Sequence, residues 1–101
     1  MSAYAALAEP HRRDILDLLR GGERSVGELV ARLDISQPGV SKHLRVLRDA
    51  GLVTVRPEGR VRRYALSPAP LAEVDAWLEP YRAAWSARLD VLQRHLEEHP
   101  E

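Results

Sequence analysis

With 101 residues the chain has the material for one compact domain, and its 45% hydrophobic content is ordinary for a globular protein, although Phe is absent. The lack of cysteine excludes disulfides and thiolate metal sites, and no apolar run is long enough to span a bilayer. The formal net charge of zero hides a division: residues 42–63 carry seven cations against two carboxylates, and residues 64–101 carry three against seven.

In chain order, residues 3–8 suit a short helix, and Pro10 fits the first turn of a second one because its missing N–H goes unused there. Ile15, Leu16, Leu18 and Leu19 give that helix an apolar face, and Gly21-Gly22 closes it. The N-terminus lacks the basic and then apolar pattern of a signal peptide, so a cytoplasmic location is the default expectation. Ser25-Val26-Gly27-Glu28 has the form of a capping box, with Val26, Leu29, Val30 and Leu33 following at helical spacing. The helix is expected to stop at Asp34-Ile35-Ser36, with Asp34 in a left-handed turn. Ser36 is a good N-cap for the next helix, Pro38 falls in its first turn, and Val40, Leu44 and Leu47 face inward before Gly51 ends it.

The period then changes from helical to alternating. Val53 and Val55 alternate with Thr54 and Arg56, Pro57-Glu58-Gly59-Arg60 supplies a turn, and residues 61–66 read as the returning strand. After Ser67-Pro68 the pattern is helical again. Leu71, Val74, Leu78, Tyr81, Trp85, Leu89, Leu92 and Leu96 form a heptad-like seam, the pattern of a helix packing lengthwise on another helix. Pro80 should kink this helix or divide it in two.

Helix, tight turn, helix and hairpin in that order form the winged helix-turn-helix plan, a mainly α fold with a β-hairpin wing (α+β). One domain over residues 1–101 is expected. Its helix-turn-helix lies at about residues 25–50, its wing at 52–66 and its C-terminal dimerisation helix or helices at about 69–98. The N- and C-terminal helices would form the dimer interface. In this plan the second helix of the pair, residues 37–50, enters the major groove of double-stranded DNA while the first braces it. Its faces are divided accordingly, with Gln37, Ser41, Lys42, Arg45 and Arg48 away from the apolar stripe.

The run from Leu33 to Val53, which contains Ser36-Gln37-Pro38-Gly39-Val40-Ser41-Lys42-His43-Leu44, resembles the core signature of ArsR-type bacterial repressors. Ala8-Glu9-Pro10-His11-Arg12-Arg13 is similar to the start of that family's second helix, and Gly59–Leu66 to its wing. The likeness covers about residues 5–66 and implies a homodimeric repressor released from its operator by an inducer. Metal-sensing members often carry a cysteine pair in the helix before the recognition helix. Here that stretch reads Val26-Gly27-Glu28-Leu29-Val30, so a thiolate sensor at that position is excluded. The segment from Leu71 to Glu98 resembles metal-free subgroups whose inducer is frequently unknown.

Gln37, Ser41 and Lys42 are the candidates for base contacts, Ser41 being otherwise a solvated helix residue and Lys42 a phosphate contact. Ser36, His43, Arg45 and Arg48 are candidates for backbone phosphates, with packing as the other role for His43. Arg60, Arg62 and Arg63 belong to the wing. Alternation sends Arg62 and Arg63 to opposite faces, with Arg62 on the face of Tyr64 and Leu66, near the wing base. Trp77 and Trp85 read as dimer core before ligand pocket. His95 and His99, four apart, are weak zinc candidates, with Glu97, Glu98 and Glu101 nearby and no firm third ligand. A zinc-responsive repressor built on them, and a winged helix that binds protein instead of DNA, are the alternatives. No cofactor is implied, no membrane role is expected, and no nucleophile, phosphate-cradling loop or metal cluster of an enzyme can be assembled.

Overall fold

The computed structural model describes residues 2–99; Met1, Pro100 and Glu101, the last of these counted above among the carboxylates, lie outside it. Helix α1 spans Ala3–Leu7 and is capped by Ser2, whose Oγ accepts the Ala5 N–H at 3.2 Å. Helix α2 spans Pro10–Leu19, with Glu9 as N-cap. Arg12 ties the two together, its Nε donating to the Ala6 carbonyl at 2.6 Å and its Nη2 to that of Ala5 at 3.3 Å.

A two-residue strand, β1 (Arg24–Ser25), precedes helix α3 (Val26–Arg32). The capping box forms, with Ser25 Oγ accepting the Glu28 N–H at 3.2 Å and Glu28 Oε1 accepting the Ser25 N–H at 3.4 Å. Asp34 does not take up the expected left-handed turn, since no non-glycine residue described has positive φ. The helix instead unwinds at Leu33, which turns extended at φ −114° and ψ 151°. The physical reason is burial: this path folds Leu33 and Ile35 against the core on either side of Asp34.

Helix α4 spans Gln37–Asp49 behind the Ser36 cap, whose Oγ accepts the Gly39 N–H at 3.2 Å. It ends in a Schellman arrangement, in which the Gly51 N–H bonds the Arg48 carbonyl and the Leu52 N–H the Leu47 carbonyl, both at 2.9 Å. Gly51 supplies the required positive φ of 76° at no steric cost, and Leu52 drops into the core.

Strands β2 (Val53–Glu58) and β3 (Val61–Leu66) pair antiparallel from Val53 with Leu66 to Glu58 with Val61. The loop is thus two residues, Gly59-Arg60, shorter than the four-residue turn read from Pro57. Positive φ at Gly59 alone, 64°, is the type II′ pattern that matches strand twist. Strand β1 adds on the far side of β3, giving the order β1-β3-β2. The wing is therefore a three-stranded sheet rather than a free hairpin.

Helix α5 (Ala69–Glu98) runs unbroken through Pro80, so one helix, not two, carries the seam. Proline leaves a carbonyl of the preceding turn without its N–H donor. Beside it Arg82 Nη2 donates to the Asp75 carbonyl at 3.0 Å, and its guanidinium pairs with Asp75 and Glu79 at 2.9 and 2.6 Å. The distal part of α5 extends well past the other elements, and the molecule measures 62 × 28 × 20 Å.

Ala6, Ile15, Leu16, Leu19, Leu29, Val40, Leu44, Leu47, Leu52 and Val53 form one buried cluster fed by α1 to α4 and β2. Leu44, 1% exposed, is part of it, so Leu44→Ala should lower unfolding free energy by about 2–5 kcal/mol through lost transfer energy and a cavity. Ser25→Ala, which removes a cap from α3, should cost about 1 kcal/mol. Urea denaturation of both variants, compared by midpoint at constant slope, checks the ranking.

Candidate nucleic-acid interface

The core decides which side of α4 meets solvent. Val40, Leu44 and Leu47 are buried on one stripe. At about 100° per residue, Lys42 and Arg45 fall near the opposite side, with Ser41, Arg48 and Gln37 between them and the Leu44 edge of the stripe. Gln37, Ser41, Lys42, Arg45 and Arg48 are all exposed. Gln37 occupies the first helical position, immediately after the Ser36 cap.

Between α4 and the wing runs a groove of about 450 Å³ lined by Ser41, Arg45, Arg48 and Arg62 among others. Arg62 lines this groove and is exposed; Tyr64, which also lines it, and Leu66 share its face of β3 and are partly buried. Arg60 stands in the two-residue turn at the wing tip.

The seven cations of residues 42–63 divide into two groups. Arg56 pairs with Glu23 and Glu58 at 2.8 and 3.1 Å. Arg63 pairs with Glu28 and with Glu58, the latter at 3.4 Å, and only 30% of its side chain is exposed. Lys42, Arg45, Arg48, Arg60 and Arg62 have no ion-pair partner among the described residues. Arg63 thus sits apart from the wing cations with which it was grouped, because β1 brings α3 and its Glu28 against the other face of β3. The Ser25 N–H, followed by the Ser25 hydroxyl and the Arg63 guanidinium, holds the Glu28 carboxyl below its ordinary range.

His43, read as a phosphate contact or a packing residue, turns inward from the exposed face of α4. Its side chain is 17% exposed and turns toward the start of α2, where Nε2 lies 3.7 Å from Glu9 Oε2 and the ring 5.7 Å from that of His11. Burial, opposed by the Glu9 carboxylate, holds the imidazole below its ordinary pKa. Three residues from Val40 and four from Leu47, it borders the apolar stripe, and that spacing is the sequence signal for an inward side chain. The grouping of Glu9, His11 and His43 was not legible at all, since two of its members are separated from the third by more than thirty residues.

On α5, Leu71, Val74 and Leu78 are half-buried, whereas Tyr81, Trp85, Leu89, Leu92 and Leu96 are between 51% and 61% exposed. Trp77 stacks edge-on against Tyr4 of α1 with centroids 5.9 Å apart, a contact that the sequence did not announce. His95 and His99 lie with ring centroids 4.7 Å apart. No third histidine or acidic donor joins them among the described residues, so they do not assemble a metal cluster there.

A family model described as a helix-turn-helix domain matches residues 7–56. The chain is 44% identical over 79 residues to the HTH-type transcriptional regulator Rv2034 of Mycobacterium tuberculosis, covering 78% of this chain and 74% of that protein. It is 32% identical over 77 residues to the transcriptional repressor SdpR of Bacillus subtilis, covering 76% and 86%. Among solved structures, the ArsR-like transcriptional regulator from Rhodococcus sp. RHA1 superposes with a TM-score of 0.69 at 34% identity, over 90% of this chain and 86% of that one.

The Glu28 geometry sets an acid response. A carboxyl held low in the fold contributes stability above its unfolded pKa and loses it as pH falls through the lowered folded value. Glu28→Gln should therefore lower stability at neutral and basic pH and converge with the wild type as pH falls through the lowered Glu28 value, which flattens the acid-side loss, as measured by urea midpoints across pH.

Proposed function

Because the chain belongs to the ArsR family of helix-turn-helix transcriptional regulators, a DNA-binding and not an enzymatic family, we propose that it works as a homodimer on a pseudo-palindromic duplex operator. Helix α4 and the wing read that operator, and an unidentified small molecule or ion releases it. The observation that carries the reading is the set of five cations, unpaired among the described residues, around the groove and wing tip, beside the polar face of α4. Phosphate neutralisation needs positive charge that is not already spent inside the protein.

Within this interface Gln37, Ser41 and Lys42 read base edges. A glutamine amide can donate to and accept from an adenine edge, and a hydroxyl suits either kind of partner. Ser36, Arg45, Arg48 and Arg62 meet backbone phosphates, and Arg60 reaches phosphate or minor groove from the wing tip. Arg63 and His43 hold the scaffold in this reading, because each is already engaged inside the protein.

Dimerisation rests on the distal half of α5. A helix that exposes Tyr81, Trp85, Leu89, Leu92 and Leu96 in one seam leaves an apolar strip that a second copy would cover. Two α4 helices related by a two-fold axis would enter successive major grooves about 34 Å apart.

An operator selected from random duplexes provides the probe. Gln37→Ala should lose about 1–3 kcal/mol of discrimination at one base position. Arg45→Ala and Arg62→Ala should weaken all sequences alike and reduce the salt slope by about one each. Unchanged base preference in Gln37→Ala would remove the groove assignment. For the dimer, Trp85→Glu combined with Leu89→Glu should sediment as a monomer and lose operator binding. A wild-type chain that binds its operator while sedimenting as a monomer would sink the dimer reading.

A further inference from the structure

Away from the proposed DNA face, Glu9, His11 and His43 bring one donor atom each to within 4.8 Å of one another. His11 Nδ1 lies 3.1 Å from Glu9 Oε1, and His43 Nε2 lies 3.7 Å from Glu9 Oε2. The second separation is too long for a hydrogen bond. Nδ1 of the same ring is buried with no hydrogen-bond partner, so neither nitrogen of this largely covered imidazole is hydrogen-bonded among the described residues.

We propose that Glu9, His11 and His43 form a binding site for a divalent transition metal ion of the zinc class, linking the start of α2 to the recognition helix α4. Donors bound to one zinc at about 2.0–2.1 Å in tetrahedral geometry stand about 3.3 Å apart, and the two imidazole–carboxylate separations, one to each Glu9 oxygen, lie on either side of that value. Two imidazoles and a carboxylate suit zinc or its neighbours better than calcium or magnesium, which favour all-oxygen shells. Three protein ligands also leave a fourth position for water. That position has access to solvent, because the His11 side chain is 50% exposed and that of Glu9 31%.

The surroundings are compatible with a cation. The Arg12 guanidinium is turned away toward the carbonyls of α1, and Lys42 sits on the exposed side of α4. Glu9 Oε2 already accepts the Arg12 N–H at 3.2 Å, and a carboxylate has lone pairs enough to cap the helix and bind an ion together. Glu9 and His11 come from the α2 entrance and His43 from α4, so occupancy would fix the distance between those helices. This depends on no thiol and on neither His95 nor His99.

Titration with Zn2+ against a chromophoric chelator, and with Co2+ for its visible d–d bands, tests the site without any DNA. It therefore stands or falls separately from the operator reading. The wild-type chain should take up one ion per chain with a tetrahedral Co2+ spectrum and a raised Tm. Altering even the outer partners of a metal commonly costs about 10–100-fold in affinity, so His11→Ala and Glu9→Gln should each weaken binding at least about tenfold. His11 is half-exposed, which lets His11→Ala keep its fold, as circular dichroism would verify. A double variant, His95→Ala with His99→Ala, should bind as the wild type does. Absence of Co2+ bands in the wild type, unchanged affinity in His11→Ala, or loss confined to the double variant would each overturn the proposal.

Discussion

The burial of Val40, Leu44 and Leu47 against Ile15, Leu29 and Leu52 is the constraint on which the rest depends. Helix α4 has one apolar stripe and can satisfy it in only one rotation about its own axis. Once the stripe is down, Lys42 and Arg45 are up, and Gln37, Ser41 and Arg48 lie between them and the Leu44 edge of the stripe. The polar face does not orient itself. It is held outward by side chains on the opposite side, and both ends of the helix are set with it, by the Ser36 cap and by Leu52 entering the core through Gly51. A loss of packing here would disturb the proposed recognition face even though none of these leucines and valines meets solvent.

A second constraint is electrostatic. Seven cations between residues 42 and 63 would repel one another if all faced the same groove. The fold withdraws two of them: Arg56 is neutralised by Glu23 and Glu58, and Arg63 by Glu28 and Glu58. Arg63 also links the sheet to α3, whose capping box uses the same Glu28 carboxylate. The remaining five are the charge available to phosphate. A neutral protein can thus offer a mainly cationic groove, with Asp49 as the carboxylate among its described lining residues, because many of its acids lie along α5.

Much of this was legible in the chain itself. The capping box at Ser25 and Glu28, the Ser36 cap with Pro38 behind it, and the Gly51 terminus are local signals whose partners lie within a few residues. Local hydrogen bonding fixes them whatever the rest of the protein does. The strand β1 was illegible for the opposite reason. Two residues carry no alternation, and Arg24-Ser25 is a strand only because β3 passes beside it, with Tyr64 opposite Arg24. Asp34 was misread because intrinsic tolerance of a left-handed turn lost to the burial of Leu33 and Ile35 on either side of it.

Periodicity and caps, then, determined the helices, the two wing strands and the inward faces of α2, α3 and α4, because these follow from contacts between near neighbours in sequence. The seam on α5 was visible in the same way, as was the polar face of α4. Tertiary structure alone decided which charges are free and which are spent, since Arg63 and Glu28 lie 35 residues apart and Arg56 and Glu23 33. It also decided that His43 turns from the proposed DNA face to meet Glu9 and His11. Alternation or a helical wheel can say that a side chain points inward. What it meets there depends on how distant segments pack, and no local pattern records that.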